Sequence, residues 1–169
     1  MVTGAGGSIG SELCKQILFL KPKILILYDL NEFALYLIDK KLASLNENNT
    51  KIIYFLGSVT NKKRLQKIFQ TYRVQTIYHT AAYKHVPIVE LNVTEGVDNN
   101  VFGTLACAQA AISERVETFI LISTDKAVRP TSIMGSTKRF SEMLFELSAQ
   151  LNVPRNLTQW EITTENVEE

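Results

Sequence analysis

Residue types that mark several special classes of protein are scarce in this sequence. The 169 residues include two cysteines, Cys14 and Cys107, and two histidines, His79 and His85. So few side chains give neither the ligand spacing of a zinc site nor the dense cysteine framework of a small secreted domain. We therefore expect reduced thiols in the core, no metal site and a cytoplasmic protein.

Long hydrophobic runs and an excess of one charge are also missing. The longest apolar stretch, ILFLKPKILILY, is interrupted by Lys21, Pro22 and Lys23, whereas a membrane-spanning helix needs about 20 apolar residues. The net charge is +1, which gives no broad field to attract nucleic acid or anionic lipid. Because Met1 leads directly into a glycine-rich loop, we expect neither a signal peptide nor a membrane segment in this chain.

What the sequence does have is a regular alternation of apolar runs and helical patterns. Strand patterns occur at MVT, KILILYD, KIIYFLG, VQTIYHTAA and ETFILIST, and helical patterns at 8–20, 30–45, 61–72, 93–114 and 134–151. Such apolar strands are typical of a sheet covered on both faces. The repeated strand–helix units predict an α/β, Rossmann-like fold with a doubly wound parallel sheet over residues 1–151.

A different composition begins at residue 152. The segment 152–169 contains four glutamates and no basic residue after Arg155. It carries no clear periodic pattern, so we expect an acidic, flexible tail.

A glycine-rich loop follows the first strand. In TGAGGSIGSEL, Gly4 permits a tight turn, Gly7 lets the backbone approach a pyrophosphate, and Gly10 allows the next helix to lie close to the sheet. Ser8 and Ile9 begin that helix, whose N-terminal N–H groups would face the phosphates. No lysine follows the loop, so it does not match a mononucleotide-binding P-loop.

An acidic residue, Asp29, ends the second strand about twenty residues after this loop. Its carboxylate would accept hydrogen bonds from the adenosine ribose and repel a 2′-phosphate, which favours NAD over NADP. The alternative is a structural turn in which Asp29 caps the following helix.

Three other segments supply candidate binding residues. In GSV, Ser58 and Val59 are predicted to contact the adenine side of the cofactor. After the fourth strand, the small side chains of Ala81 and Ala82 leave room for the cofactor against the backbone. Residues predicted to face the substrate are Lys84 and His85, although Lys84 would also suit a solvated position.

The segments TGAGGSIGSEL, YDLNEFALYLI, AAYKHVPIVELN, NNVFGT and ISTDKAVRPTSIMGSTKR occur in one order at plausible spacing. Together they resemble the extended short-chain dehydrogenase/reductase superfamily, and in particular its CapD-like polysaccharide-biosynthesis branch, the UDP-N-acetylglucosamine 4,6-dehydratases. The resemblance covers about residues 2–147. It implies NAD as cofactor, a UDP-sugar substrate, a homo-oligomer formed through the long helices, and a substrate-binding C-terminal part that is missing from this chain.

The resemblance also implies roles for the segment after the fifth strand. Thr124 occupies the family's Ser/Thr position and Lys138 its active-site lysine position, where it would hold the nicotinamide ribose. Met134 stands four residues before Lys138, where most members carry a tyrosine. A thioether donates no proton, so other residues must do that work. Asn100, in the long helix, would hold Lys138 through water.

Asp125 and Lys126 are the candidates for the missing acid–base chemistry. We expect Thr124 to hydrogen-bond the oxygen at carbon 4 of the sugar, Lys126 to remove the carbon 5 proton, and Asp125 to protonate the hydroxyl that leaves carbon 6. Asp125 is also the first choice as base for the carbon 4 hydroxyl. Alternatively, STDK is only a strand-end cap with a surface ion pair.

Three functions stay open from the sequence. The first is a nucleotide-sugar 4,6-dehydratase, and the second is an epimerase that uses the same ketone intermediate. A non-catalytic NAD-binding or oligomerising remnant is the third. Lys126 argues against a pure carbon 4 epimerase, which needs no base for carbon 5.

Overall fold

The computed structural model of the protein describes residues 1–47, 50–152 and 156–162. Six strands form one parallel sheet in the order β3-β2-β1-β4-β5-β6. The strands are β1 (Val2–Thr3), β2 (Ile24–Asp29), β3 (Lys51–Leu56), β4 (Thr76–His79), β5 (Thr118–Thr124) and β6 (Asn156–Ile162). From β1 the chain adds β2 and β3 on one side of the sheet, and then β4, β5 and β6 on the other. This change of side beside β1 confirms the predicted Rossmann-like, doubly wound fold.

Helices connect the strands as the alternating pattern predicted. They are α1 (Ser8–Phe19), α2 (Glu32–Ala43), α3 (Lys62–Tyr72), α4 (Val86–Leu91), α5 (Val93–Val97), α6 (Gly103–Ser113) and α7 (Ile133–Asn152). The predicted long helix at 93–114 consists of α5, a π-helical segment at Asp98–Phe102, and α6. The sequence did not predict two short elements, α4 and a 3-10 turn at Asp125–Ala127.

The sheet is buried on both faces, and β2 shows how. Ile26 and Tyr28 belong to one hydrophobic cluster, while Leu25 and Leu27 belong to the cluster on the other face. Because successive side chains of a strand point to opposite faces, a strand covered on both sides must be apolar throughout. This explains why KILILYD reads as a continuous apolar run instead of an alternating one.

The two cysteines lie free in these clusters, as expected. Burial raises the pKa of the Cys14 thiol to about 12 and raises that of Cys107 further. Both thiols therefore stay protonated and act as small apolar side chains.

The prediction of a flexible tail was wrong for part of its length. Residues Asn156–Ile162 form β6, which pairs in parallel with the whole of β5. Main-chain hydrogen bonds to the free edge of β5 decide this pairing, and an acidic composition does not prevent them. Residues 153–155 and 163–169 of the predicted tail lie outside the described residues.

Among the described residues, no helix combines the length and the apolar composition of a membrane-spanning segment. The same residues contain no group of three or more His, Cys, Asp or Glu side chains placed to hold a metal ion.

Candidate functional site

The glycine loop lies at the carboxyl ends of β1, β2 and β4. At two of its positions, close packing leaves room only for glycine. Gly4 has a φ of +66°, and a Cβ atom there would lie 2.7 Å from the backbone of Ala81. A Cβ atom on Gly10 would lie 2.1 Å from the carbonyl oxygen of Gly4. No side chain fits at either position, because real Cβ atoms do not approach a backbone so closely.

Gly7 is open by comparison. The nearest atom to a Cβ at this position would be the Gly4 carbonyl oxygen, at 3.3 Å. Gly7 also precedes the first residue of α1, so the free N–H groups of that helix face the same space. The opening and the helix dipole together would suit an approaching phosphate, and phosphate binding here stays a prediction.

Asp29 is held in place by two main-chain donors. One carboxylate oxygen accepts the N–H of Gly6 and the other accepts the N–H of Asn31, both at 2.9 Å. Each oxygen keeps a second lone pair that could accept a ribose hydroxyl. The alternative role of Asp29 as the cap of α2 was wrong, since the Asn31 side chain caps that helix by accepting the N–H of Ala34.

Sequence reasoning missed Gly6, which brings the loop and α2 together. A Cβ atom on Gly6 would lie 2.4 Å from the Cβ of Ala34. The loop therefore lies directly against the first turn of α2, which explains how its N–H can reach Asp29. The sequence did contain a hint of this contact. Gly6 is a small residue inside GAGG that the pattern of Gly4, Gly7 and Gly10 does not explain.

Two cavities share the loop. One of about 270 Å³ is lined by Asp29, Gly57, Val59, Ala81 and Ala82, together with the loop glycines. The other, of about 500 Å³, is lined by Gly7, Ser8, Ile9, Gly10, Lys84 and His85. Most of the predicted binding residues thus meet around one continuous loop that runs between the two cavities.

Ser58 differs from this group. Its hydroxyl is hydrogen-bonded to Thr60 Oγ1 at 2.8 Å, and its carbonyl oxygen accepts the phenol of Tyr28 at 2.8 Å. The neighbouring Gly57 lines the smaller cavity. A Cβ atom there would lie 2.5 Å from the Tyr28 hydroxyl oxygen, so the backbone must approach the phenol closely.

Lys84 and His85 take different positions around the larger cavity. Lys84 Nζ donates to the hydroxyl of Ser8 at 3.1 Å, which places its positive charge beside the N-terminus of α1. His85 is exposed and precedes α4, where its carbonyl oxygen accepts the N–H groups of Ile88 and Val89. Lys84 therefore lies at the phosphate-facing end of the site, and its predicted contact with the substrate stays a prediction.

The segment Thr124–Asp125–Lys126 turns sharply where β5 ends. Thr124 is half-buried, and its hydroxyl donates to a carboxylate oxygen of Asp125 at 2.9 Å. The same oxygen accepts the N–H of Lys126 at 2.9 Å. Asp125 and Lys126 are exposed at the carboxyl edge of the sheet, where open parallel sheets bind their ligands.

The first turn of α7 packs tightly on this segment. A Cβ atom on Gly135 would lie 2.5 Å from the carbonyl oxygen of Lys126. Met134, the residue at the tyrosine position, is buried at 2% exposure. The methionine side chain is therefore enclosed by the protein, and its thioether has no proton to donate.

Lys138 is buried below the same turn. Its Nζ donates to the carbonyl oxygen of Ile122 at 2.8 Å, two residues before Thr124. Burial lowers the pKa of Lys138 to about 8, although the negative charge of Glu142 raises it. The structure therefore places Lys138 close to the segment Thr124–Asp125–Lys126.

Asn100 joins the loop after β4 to α7. Its side-chain oxygen accepts the N–H of Tyr83 at 2.7 Å, and its amide nitrogen donates to the carbonyl oxygen of Tyr83 and to Thr137 Oγ1, both at 3.0 Å. Asn100 lies in the π-helical segment, and its carbonyl oxygen accepts the hydroxyls of Thr104 and Ser141. Its bond to water and Lys138 stays a prediction.

A buried histidine lies beneath this network and was not predicted. His79 Nδ1 is 2.8 Å from Thr3 Oγ1, and its Nε2 is 3.1 Å from Thr104 Oγ1. The Thr104 hydroxyl donates its hydrogen to Asn100, so Nε2 must be the protonated ring nitrogen. Burial, and secondarily the positive charge of Lys138, lower the pKa of His79 to about 3.

His79 is expected to make the fold sensitive to acid. The folded protein keeps the ring neutral, whereas the unfolded chain binds a proton below pH 6.5. Stability is therefore lost as pH falls from 6.5 towards 3, by about 2 kcal/mol between pH 6.5 and 5. Urea unfolding of His79→Gln should show a smaller loss over this interval, even if the variant is weaker at pH 7.

His85→Gln is the matched control, because the ring of His85 is exposed. If wild type and His79→Gln weakened equally between pH 6.5 and 5, this account of His79 would be wrong.

Comparisons with known proteins show the family of the chain. The family profile described as "Polysaccharide biosynthesis protein" matches residues 1–163. Capsular polysaccharide biosynthesis protein CapD of Staphylococcus aureus is 40% identical over 146 residues, which cover 86% of this chain and 24% of CapD. UDP-N-acetylglucosamine 4,6-dehydratase (inverting) of Campylobacter jejuni is 34% identical over 146 residues, covering 86% of this chain and 42% of that protein.

Among solved structures, Pen from Bacillus thuringiensis superposes with a TM-score of 0.81 at 27% identity, covering 96% of this chain and 48% of Pen. The chain thus spans less than half the length of each of these three proteins.

Proposed function

Because the chain belongs to the polysaccharide biosynthesis protein family, we propose that it is the cofactor-binding part of a nucleotide-sugar 4,6-dehydratase. Its substrate is UDP-N-acetylglucosamine, which is converted to a 4-keto-6-deoxy sugar. The observation that carries the proposal is the packing of Gly135 against Lys126. This contact joins the proton-exchanging turn to the helix that holds Lys138, within one sheet edge that also carries the glycine loop.

NAD fits the residues present. The loop positions that approach other backbone leave no room for side chains, while Gly7 opens towards the helix N-terminus. Asp29 is fixed by main-chain donors with lone pairs to spare for a ribose. Lys84 adds a positive charge beside Ser8, where the pyrophosphate would lie. When bound, NAD supplies the hydride acceptor for carbon 4 and the hydride donor for carbon 6.

The chain's own residues handle the protons. Thr124 orients the oxygen at carbon 4, and Lys126 removes the proton at carbon 5, which the neighbouring ketone makes acidic. Asp125 protonates the hydroxyl that leaves carbon 6, and it is also the base for the carbon 4 hydroxyl. Lys138 holds the nicotinamide ribose from below. Met134 contributes volume and no proton, because a thioether has none to give.

A second copy of the chain is proposed as a partner. Phe140, Met143 and Leu147 on α7 are each more than half exposed, and so is Phe102 in the π-helical segment. Exposed apolar side chains on neighbouring helices suit an interface between copies. On α6, by contrast, Ala108 is buried and Leu105 and Ile112 are half-buried, so these side chains belong mainly to the interior.

Incubation of the complete enzyme that contains this chain with NAD and UDP-N-acetylglucosamine tests the proposed reaction. Mass spectrometry should detect a sugar nucleotide that has lost water, with no net consumption of NAD. An isomer of unchanged mass would instead indicate an epimerase. NAD binding without conversion of the sugar would support the non-catalytic alternative.

The choice of cofactor gives a separate prediction. Asp29→Ala should weaken NAD binding about tenfold or more, since two charge-assisted hydrogen bonds to the ribose are lost. Binding of NADP should weaken less or improve, because the repulsion of its 2′-phosphate is removed. Calorimetry with both cofactors measures the ratio, and Glu32→Gln, at the first turn of α2, is the control for a general loss of negative charge.

A further inference from the structure

A buried carboxylate with no part in the proposed chemistry lies one helical turn beyond Lys138. Glu142 is 1% exposed. One of its oxygens accepts a hydrogen bond from the hydroxyl of Ser123, and the other accepts one from Arg139 Nη1 at 3.0 Å. An ionised carboxylate is costly to bury unless its oxygens are paired, and here both are paired.

Glu142 and Lys138 bind successive residues of β5. Lys138 Nζ donates a hydrogen bond to the carbonyl oxygen of Ile122, and the Glu142 carboxylate accepts one from the hydroxyl of Ser123. Thr124, which begins the catalytic turn, follows directly. Two residues at i and i+4 lie on one face of a helix, so the two charges face the end of β5 together.

Among the described residues around Lys138, Glu142 is the buried group of opposite charge. His79, on β4, is neutral above the pH of about 3 at which it titrates, and its own pKa is lowered in part by Lys138. Asp125 and Lys126, in the turn after β5, are exposed. Arg139 is 48% exposed in its side chain and pairs with Glu142 from the outside.

We propose that Glu142 is a positioning residue that keeps the buried Lys138 ammonium charged and fixes the end of β5 beneath the catalytic turn. The inference rests on the proposed function, in which Lys138 holds the nicotinamide ribose. Without the carboxylate, a buried lysine would lose its proton more readily, because burial disfavours the charged form.

The charge state of Lys138 can be measured without any cofactor. NMR of lysine-labelled protein follows the side-chain Cε and Nζ shifts of Lys138, assigned by their loss in Lys138→Met. In wild type the titration should centre near pH 8. In Glu142→Gln, the midpoint should move about one pH unit lower, since the opposite charge is gone and the hydrogen bond to Ser123 survives.

Two controls separate charge from packing. Ser123→Ala removes a hydrogen bond of Glu142 but no charge, so the Lys138 midpoint should stay near that of wild type. Glu142→Asp retains the negative charge and should restore much of what Glu142→Gln loses. An unchanged midpoint in folded Glu142→Gln would overturn the inference.

NAD affinity then tests the consequence for the site. Glu142→Gln should bind NAD about three- to tenfold more weakly than wild type at pH 8, and nearly equally at pH 6, where Lys138 is charged in both. A purely structural role for Glu142 would weaken binding at both pH values and contradict the inference. If wild type bound no NAD while the Lys138 midpoint still moved in Glu142→Gln, the proposed function would fail, and the role of Glu142 in holding the charge would stand.

Discussion

Gly10→Ala is expected to destabilise the fold by about 3 kcal/mol or more and to abolish NAD binding. The added Cβ would lie 2.1 Å from the Gly4 carbonyl oxygen and 2.8 Å from the Thr80 hydroxyl oxygen. The first contact is with backbone, which cannot rotate away as a flexible side chain does. Relief would require α1 to move off the sheet, and its N-terminus would then leave the pyrophosphate site. Urea unfolding and calorimetry with NAD measure the two effects.

Gly7→Ala separates folding from binding in the same loop. Gly7 has a φ of −69°, which alanine adopts without strain. Its Cβ would meet only the Gly4 oxygen at 3.3 Å, so the loss of stability should stay within about 1 kcal/mol. NAD binding should still weaken about tenfold or more, because the methyl group enters the space left for the phosphates. Equal stability losses in the two variants would contradict this reading of the loop.

The fold was predictable because local patterns and the global topology agree. The short, β-branched apolar runs around Leu27 and Leu121 are typical of strands covered on both faces, and the glycine loop indicated the order of strand, turn and helix. The position of Lys138 near the end of β5 followed from a motif of fixed spacing on one helix. These signals involve residues close together in the sequence or a long periodic pattern.

The polar interior could not be predicted in the same way. His79 bridges Thr3 and Thr104, and Asn100 joins Tyr83 to Thr137. Such partners are far apart along the chain, and each residue alone suits a helix cap or a surface position. The sequence leaves their pairing open because many arrangements would satisfy the same hydrogen-bonding groups.

The edge of the sheet was missed for another physical reason. β6 joins the sheet through main-chain hydrogen bonds to β5, and these depend on an available strand edge more than on side-chain composition. The strand itself, NLTQWEI, contains one glutamate and three apolar residues, and the acidic composition of 152–169 as a whole did not reveal it.

Lys126→Met is expected to lower the rate of dehydration by about 10²- to 10⁴-fold, because the proposed base for the carbon 5 proton is removed. Lys126 is exposed, so the substitution should leave stability nearly unchanged. Lys67→Met, at an exposed position on α3, is the matched control and should retain activity. The rate is measured from the sugar nucleotide that has lost water.

Solvent deuterium separates the roles of Lys126 and Asp125. In wild type, the proton at carbon 5 should exchange with deuterium from the solvent, and Lys126→Met should lose both this exchange and the product. Asp125→Asn keeps Lys126 but cannot protonate the leaving hydroxyl. If exchange continues without product in that variant, Asp125 is the acid for carbon 6 alone. Loss of exchange as well would show that Asp125 is also the base for the carbon 4 hydroxyl, because the ketone must form before the carbon 5 proton becomes acidic. If Lys126→Met dehydrated the sugar at the full rate, Lys126 would have no part in the mechanism. The alternative that STDK is only a strand-end cap would then be favoured.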